Sequence, residues 1–94
     1  MSKEIQHKET NSRGIFYINS GDKKIAELTY SIENNIMTID HTEVHPSEEG
    51  NGIGTEITKH AVAFAREHNR KINPLCPFAE VLFDRYEKWN DLRA

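Results

Sequence analysis

The sequence predicts an α+β domain, in which helices pack on the faces of a mixed, mainly antiparallel sheet. Three observations support this prediction. Several segments rich in β-branched and aromatic residues come first and are separated by turn residues. A long segment with apolar residues at helical spacing follows them. A brief extended segment and a second helical pattern complete the chain, whose 94 residues suffice for one domain spanning 1–94.

The strands are predicted from side-chain patterns. Between positions 25 and 32, apolar and polar side chains alternate, which is typical of a strand buried on one side. The turns contain Gly, Asn, Asp or Ser, which favour tight reversals of the chain. Pro46 cannot donate to a strand ladder and should follow the end of the fourth strand. The predicted strands are Lys3–Glu9, Ile15–Ile18, Ile25–Ile32 and Ile36–Val44.

Two helices are predicted from apolar residues three or four positions apart. The first runs from Ile53 to about His68 and stops at Asn69. A short extended segment, Lys71–Leu75, separates it from the second helix, which begins at Pro77. The predicted buried face of the first helix comprises Ile53, Ile57, Ala61, Phe64, Ala65 and His68. The mixed apolar face of the second comprises Val81, Leu82, Arg85, Tyr86 and Trp89.

Composition excludes several classes of protein. The chain is 36% hydrophobic and 29% charged, which fits a folded domain rather than a disordered one. A net charge of -3 without a basic stripe argues against a nucleic-acid partner. The single cysteine cannot form an internal disulfide. The polar N-terminus and the lack of a long apolar run argue against membrane insertion, so a cytoplasmic location is expected.

Three glycines, Gly50, Gly52 and Gly54, alternate where the first helix begins. Glycine permits a tight turn and close approach to a ligand. The first amides of a helix lack internal partners and carry partial positive charge, so such a turn can hold a phosphate or diphosphate. The glycines could equally serve only the geometry of a strand-to-helix connection. The Lys-Ser/Thr pair of a P-loop and the longer spacing of a dinucleotide fingerprint are both missing.

The stretch Val44–Thr55, Val-His-Pro-Ser-Glu-Glu-Gly-Asn-Gly-Ile-Gly-Thr, lies between a long strand and an amphipathic helix. It resembles the acetyl-CoA motif of the GNAT superfamily of N-acetyltransferases, Arg/Gln-x-x-Gly-x-Gly/Ala. Gly52 and Gly54 match the two small positions of that motif. Glu49 occupies the Arg/Gln position and supplies no cationic donor. The motif therefore leaves anion binding to backbone amides.

Two further segments strengthen this resemblance. Tyr86-Glu87-Lys88, expected within the second helix, resembles the C-terminal motif of the superfamily. The run Pro74–Ala79, Pro-Leu-Cys-Pro-Phe-Ala, is similar to a small stand-alone subfamily of about this length. Where the superfamily often has Asn, this chain has Ala79. Together the segments resemble a minimal GNAT domain that lacks the C-terminal strand pair, with an acceptor side left open or completed by a second subunit in a homodimer.

The resemblance implies a binding site for acetyl-CoA as cosubstrate. Two central parallel strands, Ile36–Val44 and Lys71–Leu75, would splay apart. The pantetheine arm would lie in the gap and pair with the first of them like an added strand. The diphosphate would rest on amides of the Gly-rich turn. The implied acetyl-CoA-binding residues are Thr42, Glu43, Val44, Glu49, Gly50, Asn51, Gly52, Ile53, Gly54 and Thr55.

Cys76 is the first candidate catalytic residue. It precedes the helix that begins at Pro77, and a helix N-terminus favours the reactive thiolate form of cysteine. A thiolate near the thioester could accept an acetyl group and pass it on. A buried, inert cysteine that fills a small gap is the alternative.

Tyr86 and His41 are the other catalytic candidates. In many GNAT enzymes the tyrosine corresponding to Tyr86 protonates the departing CoA thiolate; alternatively, Tyr86 is a core aromatic. His41, Glu43 and His45 alternate along a strand and could include a general base, or simply form a solvated face. No metal is expected, because strand residues four positions apart are too distant to share an ion easily.

Three functions follow as hypotheses. The first is transfer of an acetyl group from acetyl-CoA to an amine of a small molecule or protein, directly or through Cys76. The second is a non-catalytic acyl-CoA-binding or sensor module, which the departures at Glu49 and Ala79 favour. The third is a structural domain whose Gly-rich turn binds nothing. The sequence does not identify the amine.

Overall fold

A computed structural model describes residues 4–94 and contains one five-stranded sheet with strand order β1-β2-β3-β4-β5. Neighbouring strands are antiparallel except β4 and β5, which are parallel. The strands are β1 (Ile5–Glu9), β2 (Arg13–Ser20), β3 (Lys23–Glu33), β4 (Ile36–Val44) and β5 (Lys71–Pro74). The helices are α1 (Ile53–Glu67) and α2 (Pro77–Arg85), with 3₁₀ segments at Pro46–Glu48 and Glu87–Leu92. The predicted fold class is confirmed; Lys3, predicted to open the first strand, lies outside the described residues.

The β2–β3 hairpin is longer than the sequence pattern predicted. Ser20 pairs with Lys23, so only Gly21 and Asp22 remain in the turn. Two-residue turns require positive φ, which Gly21 adopts at 63°. The turn before β4 is similar, with Asn34 and Asn35 at φ values of 54° and 64°. Because the turns contain only two residues, the polar residues on either side of them belong to the strands.

One face of the sheet carries the hydrophobic core. Side chains from all five strands and both helices form a single cluster, whose largest fully buried members include Tyr30, Phe16, Phe83, Leu28 and Met37. Residues on the opposite face of the strands, such as Tyr17 and Thr29, are only half-buried. Both helices therefore pack on the same face. Neither helix within residues 4–94 is long and apolar enough to cross a membrane.

A β-bulge interrupts the pairing of β3 with β4. Tyr30 pairs with Ile39, but the preceding residue Thr29 pairs with His41, so Asp40 is an extra residue on β4. An extra residue reverses the alternation of side chains that follow it. The bulge therefore determines which β4 side chains face the helices.

Beyond the bulge, Thr42 and Val44 pair with the core-facing residues of β3 and point to the helix side. His41 and Glu43 pair with Thr29 and Glu27 and point to the uncovered face. Without the bulge, His41 and Glu43 would continue the core-facing series that ends at Ile39.

Pairing between the parallel strands ends where the resemblance placed a gap. Ile36–Ile39 pairs with Lys71–Pro74, and the Cys76 amide donates to the Ile39 carbonyl at 2.8 Å. β5 ends there, whereas β4 continues to Val44. Unlike the prediction of two central strands, β5 is an edge strand, flanked among the described residues only by an isolated bridge between Ile72 and Arg93.

The end of α1 lies close to its predicted position. Its C-cap is His68, and Asn69 has a φ of 57°, which stops the helix. His68 was predicted to face the core, and that prediction is wrong, because its side chain is exposed at the helix end. The other members of the predicted face are buried or partly buried.

The second helix was predicted too long. α2 ends at Arg85, and Tyr86 caps it with a non-helical ψ of 88°, so Tyr86-Glu87-Lys88 lies outside the helix. The change of direction turns Trp89 into the core, where its ring centroid lies 5.1 Å from that of Phe83. Val81 is exposed and so is Arg85, contrary to the predicted apolar face. Burial of the Trp89 side chain therefore stabilises the fold more than continuing α2 past Arg85 would.

A chain of aromatic and charged groups fixes β1. His7 stacks on Phe16 with a centroid separation of 4.1 Å, and its Nε2 lies 2.6 Å from the Tyr30 hydroxyl. The Tyr30 hydroxyl donates to Glu9 at 2.7 Å, and Arg70 donates to the same carboxylate at 2.8 Å. Burial lowers the pKa of His7 and raises the pKa of Tyr30, while the Arg70 hydrogen bond lowers the pKa of Glu9.

Candidate functional site

A cavity of about 400 Å³ lies between the N-terminus of α1, the end of β4 and the first turn of α2. Its lining residues are Thr42, Val44, Glu48, Glu49, Gly50, Gly52, Ile53, Gly54, Thr55 and Phe78. Eight of the ten residues predicted to bind acetyl-CoA therefore meet at one cavity. The other two are Glu43, which points to the opposite face of the sheet, and Asn51, which lies in the turn.

The Gly-rich turn has a conformation that other residues rarely adopt. Gly50 and Gly52 have φ values of 87° and 75°, in the left-handed region. Gly52 is the N-cap of α1 and has no side chain to bond the first helical amides. Glu56 is the residue whose amide bonds back to the Gly52 carbonyl, at 3.0 Å. The amides of 53–55 precede it and are therefore available to an anion in the cavity.

Gly54 has a different role, which concerns space rather than backbone conformation. A Cβ at this position would lie 2.6 Å from Cζ of Phe78 and 3.3 Å from Cγ2 of Val44. The Phe78 ring therefore closes over the first turn of α1 and forms one wall of the cavity. Sequence reasoning missed Phe78, whose only indication was its place after Pro77 at the start of α2.

The electrostatic character of the cavity is mixed. None of the described lining residues carries a positive charge, while two of them, Glu48 and Glu49, are acidic. Positive potential must come from the N-terminus of α1 and its first amides. The resemblance included Glu49 in the binding set, but the place of Glu48 in the lining followed from no pattern in the sequence.

Cys76 lies beside this cavity, at the point where β4 and β5 separate. It is the N-cap of α2, and its carbonyl accepts from the Glu80 amide at 2.9 Å. The residue is 8% exposed, and its thiol lies 3.7 Å from the hydroxyl of Thr42, which lines the cavity. The fold thus brings the only thiol next to the Gly-rich turn, although 21 positions separate Cys76 from Thr55.

Tyr86 is farther from this centre. Its ring stacks on Trp89 at 4.6 Å, and Lys59 Nζ lies 5.6 Å from its centroid. Tyr86 is not among the residues that line the cavity. Lys59 follows the cavity residue Thr55 by one helical turn, so Tyr86 lies along the same side of α1.

His41 lies on the uncovered face of the sheet. Its Nε2 is 3.3 Å from Oε2 of Glu27 and 3.3 Å from Oε1 of Glu43. His45 directly follows β4, its Nδ1 accepts from the Ser47 amide, and it lines a shallow pocket together with Glu27 and Glu43, on the side where it was predicted. The structure therefore groups His41 with a cross-strand carboxylate that the sequence pattern did not include.

The sheet with separating parallel strands and a glycine-capped helix beside the gap defines an N-acetyltransferase-like class of protein. The family model for GCN5-related N-acetyl-transferase matches residues 15–92. The chain therefore belongs to this family.

Solved structures show the same relationship. The solution structure of a GCN5-like protein from Staphylococcus aureus is 34% identical, with a TM-score of 0.74 over 97% of this chain and 87% of that one. The ribosomal-protein-S18-alanine N-acetyltransferase from Escherichia coli has a TM-score of 0.67 at 13% identity, over 82% of this chain and 53% of its own. The latter likeness concerns the fold alone. No curated protein sequence matches the chain significantly.

Proposed function

We propose that this protein binds acetyl-CoA in the cavity at the start of α1 and transfers the acetyl group to an amine. The observation that carries the proposal is that two features form one cavity and a third contacts one of its lining residues. These are the glycine-capped N-terminus of α1, the end of β4, and the thiol of Cys76 beside Thr42. Membership of the N-acetyltransferase family supports the choice of ligand.

The diphosphate would lie at the amides of 53–55, where the helix dipole favours negative charge. The pantetheine arm would run along β4 from Val44 towards Thr42. β4 pairs with β3 on one side there, and β5 has ended on the other. An extended chain of amides can use such an edge as an added strand. The thioester would then approach Cys76.

The chemistry proposed at Cys76 is an acetyl relay. Its thiolate attacks the thioester carbon, and the C–S bond to CoA breaks, so that the acetyl group is carried on the Cys76 sulfur. The departing CoA thiolate takes a proton, for which Tyr86 is the proposed donor. A neutral amine then attacks the acetyl-cysteine, which gives the amide, a proton and the free thiolate. Direct attack of the amine on acetyl-CoA is the simpler form, in which Cys76 only lines the path.

Non-catalytic binding of acyl-CoA is the second candidate function. The acidic lining residue Glu49 opposes a diphosphate, and His41 lies on the other face of the sheet from the cavity. This arrangement favours non-catalytic binding over rapid turnover. A general-base role for His41, a homodimer, a cytoplasmic location and the absence of membrane and nucleic-acid partners all stay predictions.

Calorimetric titration with acetyl-CoA tests the binding site. Gly52→Asp places a carboxylate in front of the first amides of α1 and should abolish binding. A Cβ at this position meets nothing within 4 Å, so a side chain fits, and Gly52→Asn imposes the same left-handed backbone without the charge. We expect the Asn variant to bind more tightly than the Asp variant. No binding to the unsubstituted protein, or equal binding by both variants, would contradict the proposed site.

Mass spectrometry tests the relay. Incubation with acetyl-CoA should add one acetyl group to the protein, and Cys76→Ala should remove that addition. Turnover is followed separately, as release of CoA thiol with simple amines. An acetyl group that persists in Cys76→Ala would eliminate the relay, whereas tight binding without release of CoA would favour the non-catalytic module.

A further inference from the structure

We infer that the uncovered face of the sheet holds a binding site for a borderline divalent cation such as Zn²⁺, formed by Glu27, His41 and Glu43. The ligand atoms are one imidazole nitrogen and two carboxylate oxygens, all within 4.8 Å of one another. Nitrogen and oxygen donors of this kind are usual zinc ligands. The site is on the opposite face from the cavity and does not depend on the proposed function.

The spacing of the ligand atoms fits a small ion. Zn²⁺ binds imidazole nitrogen and carboxylate oxygen at about 2.0–2.2 Å, which places neighbouring ligands of a tetrahedron roughly 3.3–3.5 Å apart. His41 Nε2 is 3.3 Å from Glu27 Oε2 and 3.3 Å from Glu43 Oε1. Two edges of the tetrahedron are thus already formed, and solvent is available for the fourth position because His41 and Glu43 are exposed.

A single hydrogen bond from His41 does not account for this convergence. An imidazole Nε2 carries at most one proton, which points at one acceptor. Two carboxylates nevertheless face the same nitrogen at equal distances. A cation between the three groups satisfies both carboxylates and the nitrogen lone pair together.

The fold supplies this arrangement through the β3–β4 pairing. Glu27 and Glu43 are direct cross-strand partners, and the bulge at Asp40 turns His41 to their side of the sheet. The Glu27 carboxylate is oriented by Lys24, whose Nζ donates to Oε1 at 2.9 Å, while Oε2 faces His41. Such a partner orients a carboxylate without occupying the oxygen that would bind the ion.

The preference among cations follows from the donor set. A nitrogen ligand favours Zn²⁺, Ni²⁺ or Cu²⁺ over Mg²⁺, which prefers oxygen ligands and retains its water. Binding would also occupy the lone pair that His41 needs to act as a base, so an ion here and a general-base role for His41 exclude one another.

Calorimetric titration with ZnCl₂ in a buffer without chelating groups tests the inference, with ¹⁵N-resolved NMR to locate the ion. We expect one equivalent to bind and to shift the His41 ring nitrogen and the amides of Glu27 and Glu43. Loss of an outer-shell partner typically weakens metal binding about 10–100-fold, so loss of a ligand in His41→Ala or Glu43→Gln should cost at least about tenfold.

His68→Ala is the matched control, because His68 is exposed and lies 3.8 Å from the carboxylate of Glu67, with no second carboxylate paired to it within residues 4–94. The affinity of the His68→Ala variant for Zn²⁺ should equal that of the unsubstituted protein. Binding that survives both His41→Ala and Glu43→Gln, or that disappears in His68→Ala, would overturn the assignment. So would NMR shifts centred on Cys76.

Discussion

Substitution of Gly14 by alanine should destabilise the protein strongly, because no space exists for a methyl group there. Gly14 lies in β2 between Glu9 on β1 and Tyr30 on β3. A Cβ would be 2.2 Å from both Cζ and the hydroxyl oxygen of Tyr30. Tyr30 is fully buried, and its hydroxyl is bonded to Glu9, so the ring cannot swing into solvent.

The expected loss of unfolding free energy in Gly14→Ala is the sum of three contributions. Overpacking of a core costs about 1–3 kcal/mol. Displacement of the Tyr30 hydroxyl from the Glu9 carboxylate costs about 1.5–3 kcal/mol, as for hydrogen bonds to charged groups. Alanine restricts the unfolded chain more than glycine does, which stabilises the folded state by about 0.4–1 kcal/mol and offsets part of the loss. The free energy of unfolding should fall by about 2–5 kcal/mol, a large part of the ~5–15 kcal/mol typical of a domain.

Urea denaturation followed by circular dichroism measures this change. With an m-value of about 1–3 kcal/mol per molar, the midpoint should fall by roughly 0.7–5 M. Tyr30→Phe removes the hydroxyl in advance, so Gly14→Ala should cost less in that background, with a coupling above about 0.5 kcal/mol. A loss below about 1 kcal/mol in the single variant, or strict additivity of the two, would refute the reasoning.

Two further predictions concern the cavity and the pH dependence of stability. Gly54→Ala should change the free energy of unfolding by less than about 1 kcal/mol, because alanine favours the helix by that amount and the Phe78 ring that the new methyl group meets is partly exposed and can move. The displaced ring should nevertheless weaken acetyl-CoA binding, as measured by calorimetry. Unchanged affinity would argue against Phe78 as a wall of the site. Burial lowers the pKa of His7 below its ordinary value of 6.5, so the unfolded chain binds the proton first and stability should fall as pH drops through 6.5 towards the folded pKa. His7→Asn should reduce the fall of the urea midpoint as the pH drops below 6.5, and should leave the loss at lower pH that arises from Glu9, whose pKa the Arg70 hydrogen bond lowers. An unchanged slope between pH 7.5 and the range in which carboxylates titrate would remove His7 as its cause.

Local patterns predicted most of the elements correctly. The alternation between positions 25 and 32 identified β3, and Pro46 ended β4 near Val44. The Asn34-Asn35 turn and the stop at Asn69 were also predicted, since each depends on a backbone conformation that asparagine tolerates. The errors concern packing instead: α2 ends early because Trp89 turns into the core, and no count of apolar spacings contains that contact.

The fold class, the order of elements and the Gly-rich start of α1 could all be predicted, because they depend on side-chain periodicity and on backbone preferences of neighbouring residues. Tertiary structure alone decided which groups meet. The bulge at Asp40 reversed the alternation of β4, which turned Thr42 towards Cys76 and His41 towards Glu27 on the other face. An extra residue in a strand ladder is set by pairing between strands, and that pairing is a property of the folded sheet rather than of any local stretch of sequence.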